Sequence, residues 1–200
     1  MSYAIIGFGN IGKALAKAFA RKGIEVSVAT TRDPGSFAAD AAAIGPKVIA
    51  KTLADAVTAD IIFLAVRFES HPDVATVLPT WQGKTIIDVT NAYGVPPEKL
   101  GGQPSSKFVA QAFTGARLVK GFNHLVAATL DQDPAVHGGR RVVFLASDDD
   151  GAADEIGALA EKLGFSPIKL GGLSDGGLLV QARGNSWGRL IFKDLVNFNG

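Results

Sequence analysis

Three glycines near the start of the chain carry the strongest chemical signal. Gly7, Gly9 and Gly12 stand in the order G-x-G-x-x-G, with Phe8, Asn10 and Ile11 between them. A glycine turn of this spacing can hold a phosphate without any side chain. The first glycine permits a tight turn, the second lets backbone approach a pyrophosphate, and the third lets helix and strand pack closely. Further chemistry-bearing residues follow at intervals: Thr30, Thr31 and Arg32, then Arg67 and His71, then Thr90 and Asn91, then His124. There is no cysteine, so thiol catalysis, disulfides and zinc-thiolate sites are excluded.

The glycines mean little without the elements around them. Residues 3–6 form a short apolar run that predicts a strand. After the glycines, Ile11, Ala14, Leu15, Ala18 and Phe19 fall on one helical face, with Lys13, Lys17 and Arg21 on the other. Strand, glycine turn and helix are the context a dinucleotide fingerprint requires. The unpaired N–H groups and the dipole at the helix start favour an anion there. Gly7, Phe8, Gly9, Asn10, Ile11 and Gly12 are therefore expected to bind the cofactor.

The second strand, residues 24–30, leads into Thr30-Thr31-Arg32. A fold that prefers NAD places Asp or Glu about 20 residues after the glycines, on the ribose 2′-hydroxyl. Two hydroxyls and a guanidinium suit a 2′-phosphate instead, which Arg grips bidentately. Asp33 follows, but Pro34-Gly35 puts it in a turn beyond the strand. NADP(H) is expected over NAD(H).

The rest of the pattern alternates. A helix is expected over 36–43, a strand over 48–50, and a short helix over 52–57 with Thr52 as N-cap. The continuous apolar run 60–66 predicts a central parallel strand buried on both faces. Ligands of open α/β sheets sit outside the C-terminal strand ends. This places Ala65, Val66, Arg67, Phe68 and His71 by the cofactor, although His71 before Pro72 can equally serve only the helix that follows. Strand 84–89 ends at Thr90 and Asn91, where an amide or backbone group could meet the nicotinamide carboxamide. A helix is expected over 105–113 and a strand over 117–122. His124 just beyond that strand is the candidate polar group facing the nicotinamide, and an ordinary loop or core histidine is the alternative. Strands over 140–147 and 165–170 flank a helix ending at 163. Asp148-Asp149-Asp150 before that helix reads as N-terminal capping rather than as a metal site. Residues 178–198 are expected to form an amphipathic closing helix.

The expected fold class is α/β. It is a single domain over residues 1–200 with a doubly wound, parallel-rich Rossmann sheet and a C-terminal helical extension. Residues 1–115 would form the nucleotide-binding core, and 116–200 the sheet extension and closing helices. The formal net charge is +1 and the basic residues are scattered, so no nucleic-acid surface is expected. No apolar stretch approaches the ~20 residues that span a bilayer, and no secretory leader is evident. The expectation is a cytoplasmic protein.

These residues resemble those of the small deazaflavin (coenzyme F-420)-dependent NADP oxidoreductases, which pass hydride between NADPH and an 8-hydroxy-5-deazaflavin. They are also similar to the NADPH-flavin reductase domain of the six-transmembrane metalloreductases. The resemblance rests on Gly7-Phe8-Gly9-Asn10-Ile11-Gly12, Thr30-Thr31-Arg32, residues 65–71, and Leu118-Val119-Lys120-Gly121-Phe122-Asn123-His124, and the segment from Ser147-Asp148-Asp149-Asp150 to Leu173-Ser174-Asp175 fits as well. It implies hydride transfer between NADP(H) and a flavin or deazaflavin co-substrate, a pocket completed by C-terminal helices, and a homodimer. Nothing in the residues identifies a deazaflavin contact. Two rival readings stay open: a small ketone or imine reductase using His124 or Tyr93 as proton donor, and a non-catalytic NADP sensor.

Overall fold

The computed structural model describes residues 1–182 and the backbone of Asp194–Leu195. Among the described residues ten strands form one sheet: β1 (Tyr3–Ile6), β2 (Val26–Ala29), β3 (Val48–Ala50), β4 (Ile61–Leu64), β5 (Thr85–Asp88), β6 (Arg117–Gly121), β7 (Ala135–Val136), β8 (Gly139–Ala146), β9 (Ser166–Lys169) and β10 (Asp194–Leu195). The order is β10-β8-β6-β5-β4-β1-β2-β3, with β7 and β9 also paired to β8. The six strands from β3 to β6 are parallel throughout. The winding reverses between β1 and β4, the switch point at which such sheets bind ligands.

Helices cover both faces: α1 (Asn10–Arg21), α2 (Ala38–Ile44), α3 (Leu53–Ala56), α4 (His71–Ala75), α5 (Pro97–Leu100), α6 (Ser105–Ala112), α7 (Ala127–Leu130), α8 (Asp150–Lys162) and α9 (Gly176–Leu179). Successive strand residues point to opposite faces, and this divides the core. Ile5, Phe63, Ile87 and Val119 join the layer under α1 and α8. Ile6, Ile62, Ile86 and Leu118 join the layer that holds Val74, Trp81 and Val109. Both faces are buried, which is why these strands read as continuous apolar runs.

Beyond β6 the direction changes. β8 runs antiparallel to β6 and meets it only at Leu145 and Ala146. β9 then pairs parallel to β8, joined to it through α8. Asp149 caps α8 by accepting from the Ala152 N–H at 2.8 Å, so the Asp run does act as a helix start. β7 was not expected; it turns into β8 through His137 and Gly138, both at positive φ, the twist a two-residue hairpin needs.

The closing helix expected over 178–198 is corrected at its far end. Asp194–Leu195 is a strand, antiparallel to β8 at Arg141 and Arg140. β8 extends well beyond its short pairing with β6, and the ladder it offers overrides a helical apolar period. At the near end, α9 stops at Leu179. The remainder of that expectation, including Trp187, Leu190, Ile191 and Val196, lies outside the described residues.

Candidate functional site

The cleft lies over the switch point. A cavity of about 470 Å³ opens at the C-terminal ends of β1, β4 and β5, lined by Gly9, Asn10, Ile11, Arg67, Thr90 and Asn91 among others. A second of about 310 Å³ opens at the end of β2, lined by Gly7, Thr30, Thr31, Leu53 and Val74 among others. Val66 and Arg67 line both. Together they form a two-lobed groove, each lobe of small-ligand size.

The three glycines do different work in this geometry. Gly7 sits at φ +105°, and a Cβ there would overlap the Ala65 carbonyl. A Cβ on Gly12 would overlap the Gly7 carbonyl. Gly9 is different: a Cβ there would meet no heavy atom within 4 Å. The bare backbone at Gly9 borders the open cavity, whereas Gly7 and Gly12 allow strand, turn and helix to pack. Gly9 is also the N-cap of α1, with no side-chain cap and no acidic residue in the first turn. Among the described residues the N–H groups there meet no carboxylate, and they are suited to an anion.

Phe8 is buried and packs on Phe37 at 5.6 Å, so the ring belongs to the core and only its backbone can serve a ligand. At the end of β2, the Thr30 hydroxyl accepts from the Arg32 N–H at 3.0 Å. The Arg32 guanidinium lies over the Phe37 ring at 5.7 Å, just outside the lining of the second lobe. Asp33 does not compete for that place. Its Oδ1 accepts from the Gly35 N–H at 2.8 Å and closes the following turn. Lys13 and Asp40 stand nearby as a 2.8 Å ion pair, and the Lys13 hydrogen bond holds the Asp40 carboxyl below the usual carboxylate range.

Of the other expected residues, Ala65, Val66, Arg67, Thr90 and Asn91 line the larger lobe. His71 does not. Its ring is buried beside Phe68, with Nδ1 bonded to the Phe68 carbonyl, so it holds the turn that carries Arg67 and Glu69. His124 does not line the cavity either. Its Nε2 bonds the Val142 carbonyl at 3.2 Å, and its ring packs on Phe144 at 4.9 Å. Burial lowers its pKa to about 4, so the imidazole is neutral at physiological pH. The histidine expected to face the nicotinamide is thus placed against Val142 and Phe144, apart from the residues that line the larger lobe. Glu69 and Tyr93 line the lobe without having been singled out for cofactor binding.

The family described as NADP oxidoreductase, coenzyme F420-dependent, matches residues 2–92. A hypothetical protein of Sinorhizobium meliloti, SMa0349, superimposes with a TM-score of 0.90 at 35% identity, covering 99% of this chain and 96% of that one. A candidate F420-dependent NADP reductase of Arthrobacter sp. FB24 superimposes with a TM-score of 0.69 at 27% identity, over 86% of each chain. Mouse metalloreductase STEAP2 is 31% identical over 178 residues, which is 87% of this chain and 34% of the relative.

Residues 2–92, a little under half of the chain, match the F420-dependent NADP oxidoreductase family. The chain spans about a third of the length of the curated metalloreductases it matches. Among the described residues no helix is long and apolar enough to cross a membrane.

The sequence motifs do not reveal the polar scaffold behind Thr90 and Asn91. Asp88 and Lys120 are register partners at the last step of the β5–β6 ladder, and both are fully buried. Lys120 Nζ donates to Asp88 Oδ2 at 3.1 Å and also to the Thr90 carbonyl. Asp88 Oδ1 accepts from the Thr90 N–H at 2.9 Å and from its hydroxyl at 2.7 Å. Burial pushes the Lys120 pKa down, and the carboxylate beside it opposes the shift. A second clamp joins Asn91 to Asn123. Asn91 Nδ2 donates to the Asn123 carbonyl at 2.9 Å, and Asn123 Nδ2 donates to Asn91 Oδ1 at 3.0 Å and to the Val180 carbonyl at 2.8 Å. Phe122 just before it is held at φ +62°, a costly conformation for a bulky side chain. The sequence signal for the pair was a charge at or near the C-terminal end of each of two strands with apolar middles, a pattern that burial permits only with partners.

Proposed function

We propose that this chain binds NADP(H) along the two-lobed cleft and passes hydride between it and a flavin or deazaflavin stacked over the nicotinamide. In this reading the pyrophosphate lies on Gly9, Asn10 and the start of α1. The 2′-phosphate lies by Thr30, Thr31 and Arg32, and the nicotinamide lies by Arg67, Thr90 and Asn91. His124 and His71 keep the loops in shape and transfer no proton. The observation that carries the reading is the pairing of a bare backbone at Gly9 with a β2 end that offers hydroxyls and a guanidinium. Asp33, next to Arg32 in sequence, is turned away into its own turn, and the carboxylate that lines the second lobe is Asp73 of α4.

The cofactor supplies the hydride. The protein supplies proximity, orientation and exclusion of water, which are the terms such a reaction needs. The polar side chains behind the larger lobe support this division, because Asp88 and Lys120 are spent on each other and on Thr90, and the Asn91 amide is spent on Asn123. The test is oxidation of NADPH and of NADH by the purified protein with FMN, FAD, riboflavin and an 8-hydroxy-5-deazaflavin. Turnover of NADPH with at least one of these is expected. Turnover of a ketone or imine with none of the flavins active would refute the reading.

A further inference from the structure

We infer that Lys120 and Asp88 are positioning residues for the nicotinamide end of the cofactor, acting through the Thr90 peptide. The inference rests on reading this cleft as the NADP(H) site. All three polar groups of Thr90 are committed to the pair: its N–H and hydroxyl to Asp88, its carbonyl to Lys120. The Asn91 side-chain amide is committed to Asn123 through both its nitrogen and its oxygen. Among the described residues, the Asn91 N–H has no partner, and Thr90 and Asn91 both line the larger lobe. The scaffold therefore leaves a fixed backbone donor at the cavity, suited to a carboxamide oxygen.

A purely structural role explains the pair less well. Its neighbours on β5 and β6, Ile86, Ile87, Leu118 and Val119, are all apolar and buried. An apolar pair would hold two strands together as well as an ion pair or better, because burying two charges costs desolvation. It could not hold the N–H, hydroxyl and carbonyl of one residue at once.

The test uses the full chain with Lys120→Met and Asp88→Asn combined, so that no buried charge is left alone. Two ligands are titrated: NADPH, and adenosine 2′,5′-bisphosphate, which lacks the nicotinamide half. The variant should keep its melting temperature close to that of the parent, bind the bisphosphate as before, and bind NADPH about tenfold more weakly, a step of one decade in Kd. Unchanged NADPH binding would overturn the inference. So would an equal loss for both ligands, which a merely structural defect would give. Thr90→Val removes only the hydroxyl bond to Asp88 and should weaken NADPH alone, by less. If the double variant does not fold, that variant decides, and no selective loss overturns the inference. Parent protein that binds NADPH but reduces no acceptor would sink the proposed reaction and leave this test in force. Parent protein that binds neither ligand would overturn both.

Discussion

The α-carbon of Gly12 lies against the carbonyl of Gly7, so closely that a Cβ on Gly12 would overlap it, while a Cβ on Gly9 would reach nothing. Two glycines of one motif are thus needed for different reasons. Gly12→Ala must move backbone and should cost about 1–3 kcal/mol of stability, the range for overpacking. Gly9→Ala has an ordinary backbone conformation and should cost less than about 1 kcal/mol. Its methyl group projects into the cavity, so NADPH affinity should drop sharply. Thermal melts and NADPH titrations on both variants check the split. Equal effects of the two on stability would contradict it.

Arg32 is exposed and sits on Phe37 beside Thr30 and Thr31. Arg32→Ala should leave stability within about 0.5 kcal/mol, as is usual for surface positions. It should raise the KM for NADPH about tenfold or more, the loss of a charge-assisted hydrogen bond, and leave the KM for NADH unmoved. Arg32→Asp should go further and reverse the preference. Steady-state kinetics with both cofactors decide, and NADPH affinity that survives Arg32→Asp would overturn the assignment of the 2′-phosphate.

His124 makes a stability prediction in place of a catalytic one. Its folded pKa is about 4, lowered by burial, against an unfolded value near 6.5. Between those values the unfolded chain binds a proton that the folded chain does not, so stability falls as pH falls through this window. The group contributes no further loss below about pH 4. The shift corresponds to about 3 kcal/mol. Denaturant melts from pH 7 to pH 4 should show this slope, and His124→Phe should flatten it. A slope identical in parent and variant would contradict the burial argument.

The parts legible in the sequence were those set by local pattern. The apolar run at residues 3–6, the glycine spacing and the α1 stripe each follow one rule, and Thr52 and Asp149 cap helices as their types predict. What escaped was set by distant partners. Lys120 reads as an ordinary strand residue until the register places it beside Asp88. His124 is adjacent in sequence to Asn123, yet one holds the Val142 carbonyl and the other the Asn91 loop. A histidine at a strand end carries no sign of which way its ring turns. Asp194–Leu195 reads as helix because its periodicity cannot report the open ladder at Arg140 and Arg141.

The most direct test of the central claim is a single anaerobic turnover with NADPH deuterated at the transferring position and an 8-hydroxy-5-deazaflavin in the cleft. The account predicts that NADPH is consumed and that the deuterium appears on the reduced ring carbon of the acceptor, where it does not exchange with water. Consumption of NADPH with no deuterium on the acceptor would contradict direct hydride transfer. No consumption with this deazaflavin or with any of the flavins would contradict the proposed function itself.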